Sequence, residues 1–146
     1  MSGSGYRVGN YGMAQGFLAL VGVVLVVAGL LGFIDNPISG DGVNNDGSGV
    51  LLAANTVHNL VHILTGALAL YFAFATSGEA QVNGVLIFGA VYVLIFVLVL
   101  VSPTFFGLFN PVPANTPDHV LHAALAVAAF AVWYLARNSS STVAAR

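Results

Sequence analysis

Cysteine and lysine are both absent from this 146-residue chain, and charged side chains make up only 5% of it. Without cysteine there is no disulfide framework, no thiolate metal site and no thiol nucleophile. Without lysine, and with a formal net charge of −2, there is no basic patch to hold nucleic acid or to draw the chain to an anionic membrane surface. Nucleic acid is therefore not among the expected partners. A soluble domain is nearer a quarter charged. This chain is 58% hydrophobic with a mean hydropathy of +0.94, so it cannot cover a water-facing surface. Lipid is its expected solvent. There is also no Ser-His-Asp order, no pair of carboxylates and no glycine-rich phosphate loop. No catalytic residue stands out, and the sequence leans away from an enzyme.

What is present is a set of four apolar runs, at about residues 13–34, 57–75, 82–101 and 117–136. Each is long enough to cross a hydrocarbon core of about 30 Å as a helix rising 1.5 Å per residue. The first is longer than the apolar part of a signal peptide and ends in no small-x-small cleavage site, so a retained span is expected. Gly16, Gly22 and Gly29 lie near one stripe of it, as close helix packing requires. Residues 1–12 read as a flexible lead-in and 137–146 as a flexible tail. The expected fold is all-α: an integral membrane four-helix bundle made of two tandem helical hairpins.

The connections are uneven. Residues 35–54 are dense in Asp, Asn and Gly and read as a solvated loop. Calcium-loop spacing fails there because Val43 stands where a ligand belongs if Asp41 is the first. Residues 76–81 form a tight polar turn. Residues 103–116 hold Phe105, Phe106, Phe109, Pro111 and Pro113 and read as an irregular connection resting on the membrane surface. The three arginines (Arg7, Arg137 and Arg146) fall on the side of both termini, while Asp35, Asp41, Asp46 and Asp118 fall on the other. The positive-inside rule then sets the termini in the cytoplasm of a cell membrane.

Polar residues interrupt the apolar pattern at two related places. The second helix opens Asn55-Thr-Val-His58-Asn59-Leu-Val-His62, and the fourth opens Asn115-Thr-Pro-Asp118-His119-Val-Leu-His122. Aligned on Asn-Thr, His62 falls opposite His122 without a gap, as in a parallel internal repeat. Asn55 or Thr56 is expected to cap the second helix and Thr116 the fourth, with Pro117 in the first helical position. His58 and His62 share a helix face, as do His119 and His122. His62 and His122 lie roughly 9 Å along their helices, just inside the hydrocarbon. Polar groups at that depth face the bundle interior and find partners.

These openings, together with the Phe88-Gly-Ala-Val-Tyr92 segment of the third run, resemble a prokaryotic family of small four-helix membrane proteins catalogued as a domain of unknown function. The resemblance covers about residues 13–136. It implies four spans and a histidine motif, and it implies no reaction.

Two readings of the cluster follow. In the first, the protein is non-enzymatic, structural or accessory to a larger membrane complex, and binds no cofactor. His58 is then set against Asp118 and Asn59 against His119, with Asn55 and Asn115 completing a polar cluster that joins the second and fourth helices. In the second, the protein binds haem b or a zinc or copper ion, for electron transfer or metal handling. His62 and His122 are the candidate haem ligands; His58, His62, His119, His122 and Asp118 are the candidate metal ligands. Glycine and alanine on the first and fourth helices permit contact with a membrane-protein partner or with a second copy.

Overall fold

In hydrocarbon every backbone amide must bond within its own segment, and the four apolar runs do so as helices. The computed structural model describes residues 11–138. The expected lead-in up to residue 10 and tail from residue 139, with Arg7 and Arg146, lie outside the described residues. The elements in order are α1 Tyr11–Leu31, β1 Ser39–Gly40, β2 Leu52–Ala53, α2 Thr56–Ala75, α3 Glu79–Val101 and α4 Thr116–Asn138. All four helices are long and apolar enough to span a bilayer, which makes this a multi-pass membrane protein with an all-α bundle. The helix ends differ from expectation by a few residues. The first helix starts at Tyr11 and stops short of Ile34, the third starts at Glu79 inside the expected turn, and Arg137 and Asn138 belong to the fourth rather than to a tail.

The core holds Leu18, Leu25, Val85, Phe88 and Tyr92, but small residues make the helix crossings. Those buried include Ala14, Gly22 and Gly29 on α1, Gly66, Ala69 and Ala73 on α2, and Ala126 and Ala129 on α4. Other large ones such as Leu20, Val24, Leu64, Phe74, Leu94 and Val127 stay exposed. Lipid tails are as apolar as these side chains, so nothing drives them inward, and close backbone approach supplies the packing instead. The tightest crossing joins α1 and α2. A Cβ on Gly22 would lie 2.9 Å from the Gly66 carbonyl oxygen, and one on Gly66 would lie 2.8 Å from that of Gly22. Gly29 meets the Asn59 carbonyl in the same way. Gly16, placed on this stripe by spacing, has nothing within 4 Å and faces outward.

The end that carries the chain termini is stapled by two glutamines. Gln15 and Gln81 both donate to the Ala73 carbonyl, at 3.0 and 2.9 Å, tying α1 and α3 to α2. Gln81 also donates to Thr76 at 3.1 Å. This accounts for the one polar break in the first apolar run. Nearby, Arg137 lies 4.4 Å over the Trp133 ring. Mid-bundle, Phe17 meets Phe88 edge-on at 5.9 Å, and Phe88 stacks on Tyr92 at 4.5 Å.

At the opposite end, the first loop is more ordered than its composition suggests. The Asn36 carboxamide donates to Leu31, Ile34 and Ser39 carbonyls and accepts from the Ile38 and Ser39 amides. It ends α1 and sets β1 parallel to β2, with Ser39 opposite Leu52. Asp46 accepts from Ser48, whose hydroxyl and amide hold its carboxyl below the usual carboxylate range.

Gly22→Leu or Gly66→Leu forces α1 and α2 apart, and overpacking of this kind costs about 1–3 kcal/mol. Gly16→Leu serves as the control and leaves stability within about 0.5 kcal/mol. Reversible unfolding in mixed micelles, followed by circular dichroism, measures both.

Candidate functional site

The N-terminal ends of α2 and α4 begin with matching asparagine caps. The Asn55 side chain accepts from the His58 amide at 2.9 Å, and that of Asn115 accepts from the Asp118 amide at 3.1 Å. The fourth helix is therefore capped by Asn115 and not by Thr116, which is already helical. Asp118 answers by accepting from the Asn115 amide at 3.0 Å, a reciprocal box that satisfies two helix-end donors.

Each cap also reaches into the other hairpin. Asn55 Nδ2 donates to the carbonyls of Leu108 at 3.0 Å and Asn110 at 3.3 Å, in the α3–α4 loop. Asn115 Nδ2 donates to Leu51 at 3.1 Å, in the α1–α2 loop. The residue before each cap makes a matching backbone bond inside its own hairpin, Ala54 to Gly40 and Ala114 to Pro103, both at 2.8 Å. The two loops are thus cross-tied over the ends of α2 and α4.

Beneath them lie His58, His62 and His122, all about 2% exposed or less. Ring centroids are 4.5 Å apart for His58–His62, 5.8 Å for His58–His122 and 6.3 Å for His62–His122. One nitrogen from each ring lies within 4.8 Å of the others. His58 Nδ1 sits 3.2 Å from the Ala53 carbonyl. A donating Nδ1–H there leaves the buried Nε2 with a lone pair and no partner, as an outer-shell bond commonly sets a metal-ligating histidine. His58 Nε2, both nitrogens of His62 and His122 Nδ1 are buried without a hydrogen-bond partner.

The expected pairs are not formed. Asp118 Oδ2 is engaged with its own cap while Oδ1 has no hydrogen-bond partner, and Asn59 lies against Gly29 of α1 and Gly32 just beyond it instead of meeting His119. His119 is half-buried and, like Asp118, falls outside the three-histidine group. Both were placed with the others by helical spacing, which shows what shares a face but not which way that face turns.

Sequence reasoning missed Phe109. It was expected to rest on the membrane surface with the rest of its loop, but it is buried and stacks on His58 at 4.5 Å, with ring planes 8° apart. Phe105 stacks behind it at 5.1 Å. Only Phe106 and Leu108 of this loop's large apolar residues remain exposed. A phenylalanine-rich turn hints at an aromatic cover, but the partner becomes visible only once the loops are tied. Tyr92 approaches the cluster from α3, with its ring 5.9 Å from His122 and its hydroxyl 3.4 Å from that of Thr65.

A family model described as a domain of unknown function (DUF4383) matches residues 15–135. No curated protein matches the chain, and no solved structure does.

Asn55→Asp keeps the cap acceptor and removes the two donors to the second loop. It frees the loop while leaving α2 intact, at a cost of about 1 kcal/mol. Hydrogen exchange should speed up at the Phe109 and Ala114 amides and stay unchanged within residues 60–75.

Proposed function

We propose that this chain, which belongs to the DUF4383 family, binds one zinc or copper ion through His58, His62 and His122 and serves in metal handling at the membrane. The observation that carries the reading is three buried imidazoles with converging nitrogens, four of whose ring nitrogens have no partner. A buried polar atom without a partner is costly, and more so at membrane depth. A single cation would satisfy three of them together. Tetrahedral zinc at about 2.0–2.1 Å from each nitrogen sets them about 3.3 Å apart, so the rings need only small rotations inward. Imidazole suits zinc and copper alike, and three protein ligands leave a fourth position for water or for a donor that delivers or removes the ion.

The purely structural reading fits less well. Linkage of the two hairpins at this end is carried by Asn55 and Asn115, and the histidines add no hydrogen bond to it. Haem fits less well again. A porphyrin between His62 and His122 would have to occupy the place of His58, whose ring is 4.5 Å from one and 5.8 Å from the other. Orientation follows from charge. Arg137 stands at the end of α4, and the loops at the opposite end hold Asp35, Asp41 and Asp46 with no basic residue. The positive-inside rule puts the histidine end on the outer side.

Protein purified without a histidine tag and stripped by chelator should take up one equivalent of Co2+ with the absorption of a tetrahedral site. His58→Ala, His62→Ala and His122→Ala should each weaken uptake by at least about 10–100-fold, the loss that follows removal of even an outer-shell partner. His119→Ala should leave it unchanged. Uptake that is absent, or indifferent to all four substitutions, would overturn the reading. Orientation has its own test, made simple by the cysteine-free chain. Ser48→Cys should react with a membrane-impermeant maleimide on intact cells, and protection until lysis would reverse the topology.

A further inference from the structure

The first outer loop forms a half-open cavity of about 740 Å³, room for a hydrated ion. Its lining includes Gly32, Asp35, Ser39, Asp41, Ala54 and Thr56 and holds no basic side chain. It is therefore a place for a cation rather than an anion. Ser39 in this lining is fully buried, and its hydroxyl has no hydrogen-bond partner.

Two lining residues, Gly32 and Ala54, stand next to groups that adjoin the imidazole cluster. A Cβ on Gly32 would collide with Asn59 Oδ1, so the bare glycine backbone is what lets the carboxamide sit behind this lining residue. That oxygen is also buried and unpartnered. Asn59 follows His58 and lies one turn from His62 on the same helix. On the other side, Ala54 lines the cavity while the carbonyl of its neighbour Ala53 holds His58 Nδ1. From the α3–α4 loop, His58 is covered by the Phe109 and Phe105 stack.

We propose that this cavity is the port through which a hydrated divalent metal ion enters the histidine site. Asp35 and Asp41 collect the ion from the outer solution. The Ser39 hydroxyl and the Asn59 carboxamide oxygen replace part of its water shell on the way in. This rests on the metal reading above and adds a route to it. Carboxylates at the mouth of a low-dielectric cleft raise the local cation concentration and the rate of entry, by 10-fold or more in favourable cases. They have little effect on affinity at a site formed by other groups.

The test is stopped-flow loading of Co2+ into the stripped full-length protein in uncharged detergent at low ionic strength. The variant is Asp35→Asn with Asp41→Asn, which alters only side chains at the loop surface. The expected result is entry slowed by about tenfold with the final stoichiometry and spectrum unchanged. Salt should slow the wild type towards the variant's rate and leave the variant unaffected. Equal loading rates at low salt, with both proteins filling, would overturn the port and leave the metal site standing. A wild type that never fills would overturn the metal site, and the port with it.

Discussion

Two carboxamides hold the histidine-bearing end of this molecule together. Apolar contact does little to drive helices together in lipid, so the polar bonds that remain decide how the hairpins meet. Asn55 and Asn115 each spend their oxygen on their own helix and their nitrogen on the opposite loop. The second loop is thereby drawn over α2, and Phe109 comes to lie flat on His58. The histidines are then sealed from above by an aromatic ring and enclosed from the sides by helices. Loss of the cross-ties would leave the four helices intact and the covered polar cluster open.

That cluster has an electrostatic character suited to its depth. Its three converging groups are imidazoles, which can be neutral, so grouping them at this depth buries no charge. Asp118, the one carboxylate near this end of α4, is turned to its own helix start, where the positive end of the dipole favours it. Separating the carboxylate from the imidazoles keeps the two roles apart: one closes a helix, the other offers lone pairs.

How much of this was legible in the sequence depended on the range of the interaction. The spans were legible because composition leaves no alternative to lipid and hydrocarbon leaves no alternative to helix. The helix ends were legible to within a few residues. Their exact caps turned on one residue, and at α4 Asn115 took the place expected for Thr116. The asparagine and histidine positions were visible as interruptions of an apolar pattern. Their partners were not, because aligning His58 with Asp118 and Asn59 with His119 assumes that the two helices turn matching faces to each other. Asn59 instead faces Gly32, just past the end of α1, which leaves room for its side chain. Asn36 read as one more turn former, and its hold on five backbone groups could not be seen without the fold. Gly16 shared a stripe with Gly22 and Gly29 by spacing alone, yet no helix crosses there.

The short parallel ladder has a consequence for the region beyond it. Because Ser39–Gly40 lies beside Leu52–Ala53, the chain leaves and re-enters the bundle at almost the same point. Residues 41–51 therefore form a lobe with a closed neck, folded back so that Gly47 meets Ala53 and Val112, and its tip at Asn44, Asn45 and Asp46 stands exposed. The entropy of closing such a loop rises only with the logarithm of its length, by about 0.6 kcal/mol for each doubling. This lobe is accordingly the place where the molecule can accept inserted sequence, a reporter or a whole foreign domain, without the membrane spans being displaced.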